Sequence, residues 1–422
     1  MRNASSGDLI IAALLACYLV NCFSPLRLEY DSIHYFALKD CLEHACPPGF
    51  QAANDPHPYG YPLLLWSLSR IGLLHPFTIA FINLLYLAGA LYFTGKLFSH
   101  MGGSGWRRLS LRRTGEMGGG LDQRRLELGV VLLLLSYPFI KFFAYPLSEM
   151  QYLFFSCGSL FFFRLYTDRG MRPVALALSV LFACLAILTR TVGIVLLPAL
   201  LAGLAWHHRV VLRRFWKIAV LAVVVAGVGT VAGIGPGLYM SSILRAGPGW
   251  TVLLRDHLAE WGQLLLNVPV GKIAVIGEGM IRRLAVVAGI LLICGLSYTF
   301  IRRRKKVPVA AGVYLVLYSA LIFCWPFFDV RFWIPVAPLM VMILLHGTYP
   351  RFFRLVVIVY MLAGIGAMGY STYTAFNRQA LARSQAGGRY RNEYETFFSG
   401  KPLSDTTARV DPYVLHVLET CR

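Results

Sequence analysis

An all-α, polytopic membrane architecture of about eleven transmembrane helices is the fold class this sequence predicts, with juxtamembrane helices in the first outer loop. Three observations predict it. The chain is 57% hydrophobic and 14% charged, whereas soluble domains carry about 25% charge. Apolar stretches recur along the 422 residues as far as about residue 370, each near the length that a membrane helix needs. Basic residues gather in alternate connections between those stretches, as the positive-inside rule requires.

Taken in order, the expected spans are 9–25, 77–98, 127–144, 149–166, 172–188, 191–206, 217–234, 284–300, 307–325, 332–348 and 352–370. The first lacks a small-x-small cleavage site, so it reads as a retained helix, not a signal peptide. Segment 59–75 is apolar but carries Pro62 and Arg70. It reads as a helix at the interface, because charge disfavours a twelfth crossing. Without that crossing, one set of connections holds 20 Lys and Arg against 3 acids, and the other set holds 10 of each. This places the N-terminus on the cytoplasmic side of a bacterial inner membrane. The polar face, with outer loops 26–76 and 235–283, lies opposite. Residues 1–370 then form one membrane domain, and 371–422 a short outer tail. Apolar periodicity in 250–266 predicts an amphipathic helix inside the second loop.

The net charge of +20 is accounted for by that topology, which removes the case for a nucleic-acid partner. Of nine cysteines, Cys41 and Cys46 share one polar loop. Bonded and free states both fit them. No CxxC pair and no zinc-type spacing occurs.

Ionisable residues near the ends of the apolar runs collect on the outer side. Asp31 and His34 follow the first run, and Asp55, His57 and Tyr59 precede the proline-broken segment. Lys141 and Glu149 flank one turn, Arg190 another, and Asp329 and Arg331 stand in "FCWPFFDVRFWIPVAPL". Intramembrane and juxtamembrane charges of this kind mark functional sites. Asp31 and Asp55 are the candidate catalytic carboxylates. Such a pair divides base and orienting roles. His34, His57, Tyr59, Lys141, Glu149, Arg190, Asp329 and Arg331 are candidate substrate-binding residues. The arginines offer fixed donors to phosphate oxygens. The competing reading for Arg331 is an ion pair with Asp329, and for Glu149 a charge at a helix N-terminus. No metal ligand set is assigned; a divalent cation is compatible, but two dispersed acids do not require one.

With "EYDSIHYFALKD", "DPHPYGYPLLLW", "YPLSEM", "LTRTVGIVLLP" and "DVRFWIPVAPL" in this order, residues 8–370 resemble the GT-C superfamily of integral membrane glycosyltransferases. The nearest members are protein O-mannosyltransferases, aminoarabinose lipid A transferases and family 39-like enzymes. The resemblance implies transfer of a sugar, with inversion, from a polyprenyl-phosphate carrier to an envelope lipid, glycan or protein acceptor. It implies no firm cofactor, a monomer, and membrane lipids as surroundings. By position Asp31 resembles the essential acid of the first outer loop. Arg331 and Pro335 resemble an R-x-x-x-P pattern that meets the carrier phosphate. One departure is His57-Pro58-Tyr59 where the family has a charged residue before two prolines. The alternative reading is a multispan transporter or flippase, which would show paired broken helices. The largest cavity is expected to place Arg331 and Arg190 at its polar end.

Overall fold

The computed structural model describes residues 6–43, 45–99, 121–168, 172–207, 249–269, 278–347, 352–400 and 410–421. Its first helix, α1 (Ser6–Asn21), ends in an extended stretch that leads to α2 (Tyr30–Glu43). A single 3-10 turn, Ala52–Asn54, precedes α3 (Gly60–Arg70). Pro62 sits in the first turn of α3, where a missing N–H costs nothing. The long α4 (Pro76–Phe98) starts on a proline for the same reason. Asp122 caps α5 (Gln123–Leu134) by accepting from the Arg125 N–H. Then come α6 (Tyr137–Phe142), α7 (Glu149–Asp168), α8 (Pro173–Thr189) and α9 (Leu196–His207). Helices α10 (Trp250–Leu266), α11 (Glu278–Arg303), α12 (Val309–Phe323), α13 (Ala337–Leu345) and α14 (Phe352–Phe376) follow. The chain closes with α15 (Arg378–Ser384), α16 (Arg391–Ser399) and α17 (Pro412–Thr420).

The expected eleven-span polytopic fold is corrected here. Among the described residues, three helices are long and apolar enough to cross a membrane: Pro76–Phe98, Gly279–Arg303 and Phe353–Phe376. The shorter apolar helices, Ser6–Asn21, Pro173–Thr189, Thr191–His207 and Val309–Phe323, fall below that length. At about 1.5 Å per residue, 15 residues reach roughly 22 Å, against a hydrocarbon thickness of about 30 Å. Other expected spans break. Segment 127–144 splits into α5 and α6 just before Pro138. Segment 332–348 becomes a 3-10 turn, Val330–Trp333, and the nine-residue α13, because Pro335 and Pro338 interrupt it. Helix α7 is 20 residues long, but its polar residues Glu149, Gln151, Ser156 and Ser159 are buried against neighbouring helices. The expected span 217–234 lies outside the described residues, as does most of 99–126 and much of 235–283.

Helix-on-helix packing builds the rest. Aromatic rings from α4, α7 and α8 interleave: Phe93 meets Phe154, Phe161 and Phe182, and Phe154 meets Phe182. Helices α10 and α11 cross with almost no gap. A Cβ on Gly262 would lie 1.8 Å from the Ala285 carbonyl oxygen, and one on Gly289 1.9 Å from that of Leu258. Only glycine permits that approach. The core continues through Tyr152, Tyr314, Tyr318 and Trp333, all fully buried. Cys41 and Cys46 form a disulfide at the end of α2.

Candidate cation and acid-base centre

Helix α2 presents Asp31 and His34 three residues apart, so one face carries both. The Tyr35 hydroxyl bonds Ser148 Oγ at 2.7 Å, which fixes α2 against the start of α7. Asp55 arrives from the loop after the 3-10 turn, and its side chain is only 2% exposed. Two imidazoles converge on it. His34 Nδ1 lies 2.5 Å from Asp55 Oδ2, and His57 Nδ1 2.7 Å from Oδ1. The His57 backbone N–H also donates to Oδ1, at 2.8 Å. His57 Nε2 stands 3.7 Å from Asp31 Oδ2, so His57 lies between the two carboxylates.

Asp31 is held from the other side by Arg331, whose Nη2 is 2.7 Å away. Arg331 also meets Asp329 Oδ2 at 3.0 Å, while its own backbone N–H donates to Asp329 Oδ1. Glu149 Oε1 lies 3.8 Å from Arg331 Nε and 2.6 Å from Arg190 Nη1. The result is one continuous chain of contacts in which acids alternate with histidines or arginines: His34, Asp55, His57, Asp31, Arg331, Glu149, Arg190. Burial would raise the Asp31 carboxyl, but the Arg331 charge and His57 outweigh it and hold Asp31 well below the usual carboxylate range. Asp55 is likewise lowered, because hydrogen bonds from His34 and His57 overcome its burial. Burial alone would push His57 down; Asp31 and Asp55 instead raise it to about 9.

Eight of the ten candidate residues thus meet in one network. Two do not join it. Tyr59 is 41% exposed and precedes α3, where its carbonyl accepts from Leu63 N–H. Lys141 pairs with Glu29 at 3.3 Å and lies 4.2 Å from the Phe142 ring centre.

A cavity of about 860 Å³ adjoins this network at Asp329. The cations that line it are Arg27, Lys141 and Arg282, not Arg331 and Arg190. Neither arginine lines this cavity: the side chain of Arg331 turns to Asp31 and Asp329 instead. Sequence reasoning missed Asp256, Glu260, Gln263 and Asn267, which all line the cavity. Their spacing of four, three and four residues along α10 was the available signal.

No protein-family model, curated protein or solved structure matches this chain. With three membrane-length helices among the described residues in place of eleven expected, the resemblance to GT-C glycosyltransferases does not hold. The readings that depended on it are corrected too. These are polyprenyl-phosphate-dependent glycosyl transfer, its donor and its envelope acceptors, the flippase alternative, and a multi-pass inner-membrane placement. Each required a many-helix bundle spanning the bilayer, and the shorter helices do not reach across one.

His34, Asp55 and His57 form a group able in principle to hold a divalent ion, with their ligand atoms all within 4.8 Å of one another. Two imidazole nitrogens and a carboxylate oxygen suit zinc and related transition metals better than magnesium or calcium.

Proposed function

We propose that this protein binds a divalent cation at His34, Asp55 and His57, and that Asp31 and Arg331 make the site an acid-base centre for an anionic ligand. The observation that supports this is the convergence of two partly exposed histidines on one buried carboxylate. A bound ion would supply Lewis-acidic charge beside Asp31. Asp31, ionised by its contact with Arg331, orients a hydroxyl or water donor. Arg331 would neutralise negative charge as it develops through Nη1, which is buried without a hydrogen-bond acceptor, while its Nε stays on Asp329.

A second reading rests on the hydrogen bonds themselves. At 2.5 and 2.7 Å, both imidazoles already satisfy Asp55. The cluster would then be a structural knot that joins α2 to the loop before α3. Calorimetric titration of chelator-treated protein with Zn²⁺, Mn²⁺ and Mg²⁺ separates the two. The cation reading expects one transition-metal ion per chain, bound at least about tenfold more weakly after His34→Ala or Asp55→Asn, since loss of an outer-shell partner alone costs about that much. Absence of saturable binding by the unaltered protein leaves the knot.

A further inference from the structure

The cavity between α6, α10 and α14 is lined by donors that neither the charge network nor the cation site uses. Tyr145 lines it and is 3% exposed. Its hydroxyl has no hydrogen-bond partner among the described residues. Trp261 Nε1 and Ser319 Oγ are enclosed without partners, whereas the Tyr145 hydroxyl keeps accessible surface. The little surface that Tyr145 exposes therefore includes its oxygen, at the cavity wall. Lys141, one helical turn earlier in the chain, lines the same space. Its side chain is 43% exposed, so its ammonium group is within reach of a ligand, and it meets Glu29 at 3.3 Å. Glu29 itself does not line the cavity.

Charge decides what these donors can receive. Three acids line the cavity, and each already faces a base: Asp256 meets Arg255 and Arg282, Asp329 meets Arg331, and Glu260 meets His257. Glu29 balances Lys141. Arg27 is not balanced. It is 5% exposed, and its guanidinium bonds only neutral groups: Ser24 Oγ, the Ser371 carbonyl and hydroxyl, and Thr374 Oγ1. No carboxylate lies within ion-pair distance of it among the described residues. A buried charge without its opposite is costly, and burial lowers the Arg27 value accordingly. Ser371 and Thr374 line the cavity themselves, so the guanidinium sits directly behind that part of the wall. Its charge is felt at Tyr145. The wall thus offers a partnerless hydroxyl and a reachable ammonium group in front of one uncompensated positive charge. A carboxylate matches this: it carries one negative charge and only accepts. A phosphate monoester brings a charge of about −1.5 to −2. The remaining surface includes Ile140, Val268, Ala363 and Ala367, which is apolar.

We propose that this cavity binds a monocarboxylic acid as its anion, the carboxylate accepting from the Tyr145 hydroxyl and Lys141 beside Arg27 while the hydrocarbon portion lies along α14. At about 860 Å³ the cavity lies within the range of roughly 300–1,000 Å³ typical of small-molecule sites. The proposal is independent of the cation site.

The test is calorimetric binding of octanoate to chelator-treated full-length protein, with octanamide, its neutral isostere, and octyl phosphate as comparators. Octanoate is expected to bind at least about tenfold more tightly than octanamide, because hydrogen bonds to a charged group are the stronger kind, and more tightly than octyl phosphate. Tyr145→Phe deletes a hydroxyl that no described protein group uses. Its unfolding curve should match that of the unaltered protein, while octanoate binding weakens at least about fivefold. Lys141→Met keeps the stem and removes the charge, so the difference between octanoate and octanamide should shrink. Equal binding of octanoate and octanamide, tighter binding of octyl phosphate, no binding of octanoate, or unchanged octanoate binding in Tyr145→Phe overturns the proposal. If Tyr145→Phe loses stability together with binding, Lys141→Met decides: an undiminished difference between octanoate and octanamide in that variant overturns the proposal as well.

Discussion

Glu149 is the side chain that joins the two arginines of the network. Its carboxylate is 2% exposed and serves two arginines at once, Arg190 and Arg331. Removing one partner of a buried ion pair strands the others, at a cost of about 3–5 kcal/mol. Glu149→Gln is therefore expected to destabilise the protein by roughly 3 kcal/mol, read from chemical unfolding; a change within 0.5 kcal/mol, the scale of a plain surface substitution, would contradict it. His57 makes a second, pH-dependent contribution. Its value is raised to about 9, from about 6.5 in an unfolded chain. The stabilisation is complete below the unfolded value and disappears as pH rises through about 9. Asp31 and Asp55 act oppositely: their values are lowered, so their contribution is present above about pH 4 and is lost in acid. In chelator-treated protein, stability is expected to fall between about pH 6.5 and 9, and His57→Gln should flatten that slope. A slope that survives the substitution places the titrating group elsewhere.

Among the elements, the α10–α11 crossing sets the position of the cavity wall. A methyl group at Gly262 meets backbone, which cannot move aside as a side chain does. Gly262→Ala should separate the two helices and cost about 1–3 kcal/mol, as overpacking does, read from chemical unfolding. Gly366→Ala, where a Cβ meets nothing within 4 Å, is the control, expected to leave stability unchanged or slightly higher. These elements also show how far the sequence could be read. The periodicity of 250–266 predicted α10, and the structure places that helix at Trp250–Leu266. The helical spacing of Asp31 and His34 was equally readable. That Asp55 and His57 return to them was not, because loop 45–59 has no periodicity to direct it. The span count failed for a different reason. A buried helix in a large core and a membrane helix are both apolar all round, and hydropathy does not weigh breaks such as those before Pro138 and around Pro335. Arg331 was readable as a paired residue, but its meeting with Asp31, 300 positions earlier in the chain, was a property of the fold.

At the scale of the whole molecule, the two ends of the chain are tied together beside the centre. Tyr394 of α16 donates from its hydroxyl to the Leu26 carbonyl at 2.5 Å and accepts from the Leu28 N–H at 3.1 Å. Gln385 Oε1 shares that same N–H at 3.1 Å. Arg27, between them, donates to the Ser371 carbonyl at the end of α14, and Asn21 donates to Thr372. Further along, the Tyr413 hydroxyl donates to Asp40 at the far end of α2. The extended stretch 25–29 has no helix or sheet of its own, so its buried backbone groups depend on these distant partners. That stretch leads directly into α2, and Asp31 lies in its first turn. Tyr394→Phe removes one hydroxyl and leaves the Leu26 carbonyl unmatched, which is expected to cost about 1–3 kcal/mol. Gln385 still meets the Leu28 N–H, so the loss should stop short of unfolding. The distinguishing readout is hydrogen exchange. Protection should fall at residues 26–32, with α4 and α7 unaffected, because local opening follows the contacts that are lost. If exchange at 26–32 is unchanged while stability drops, then the C-terminal helices stabilise the protein without holding the approach to Asp31, and the tie between the chain ends has no bearing on the centre.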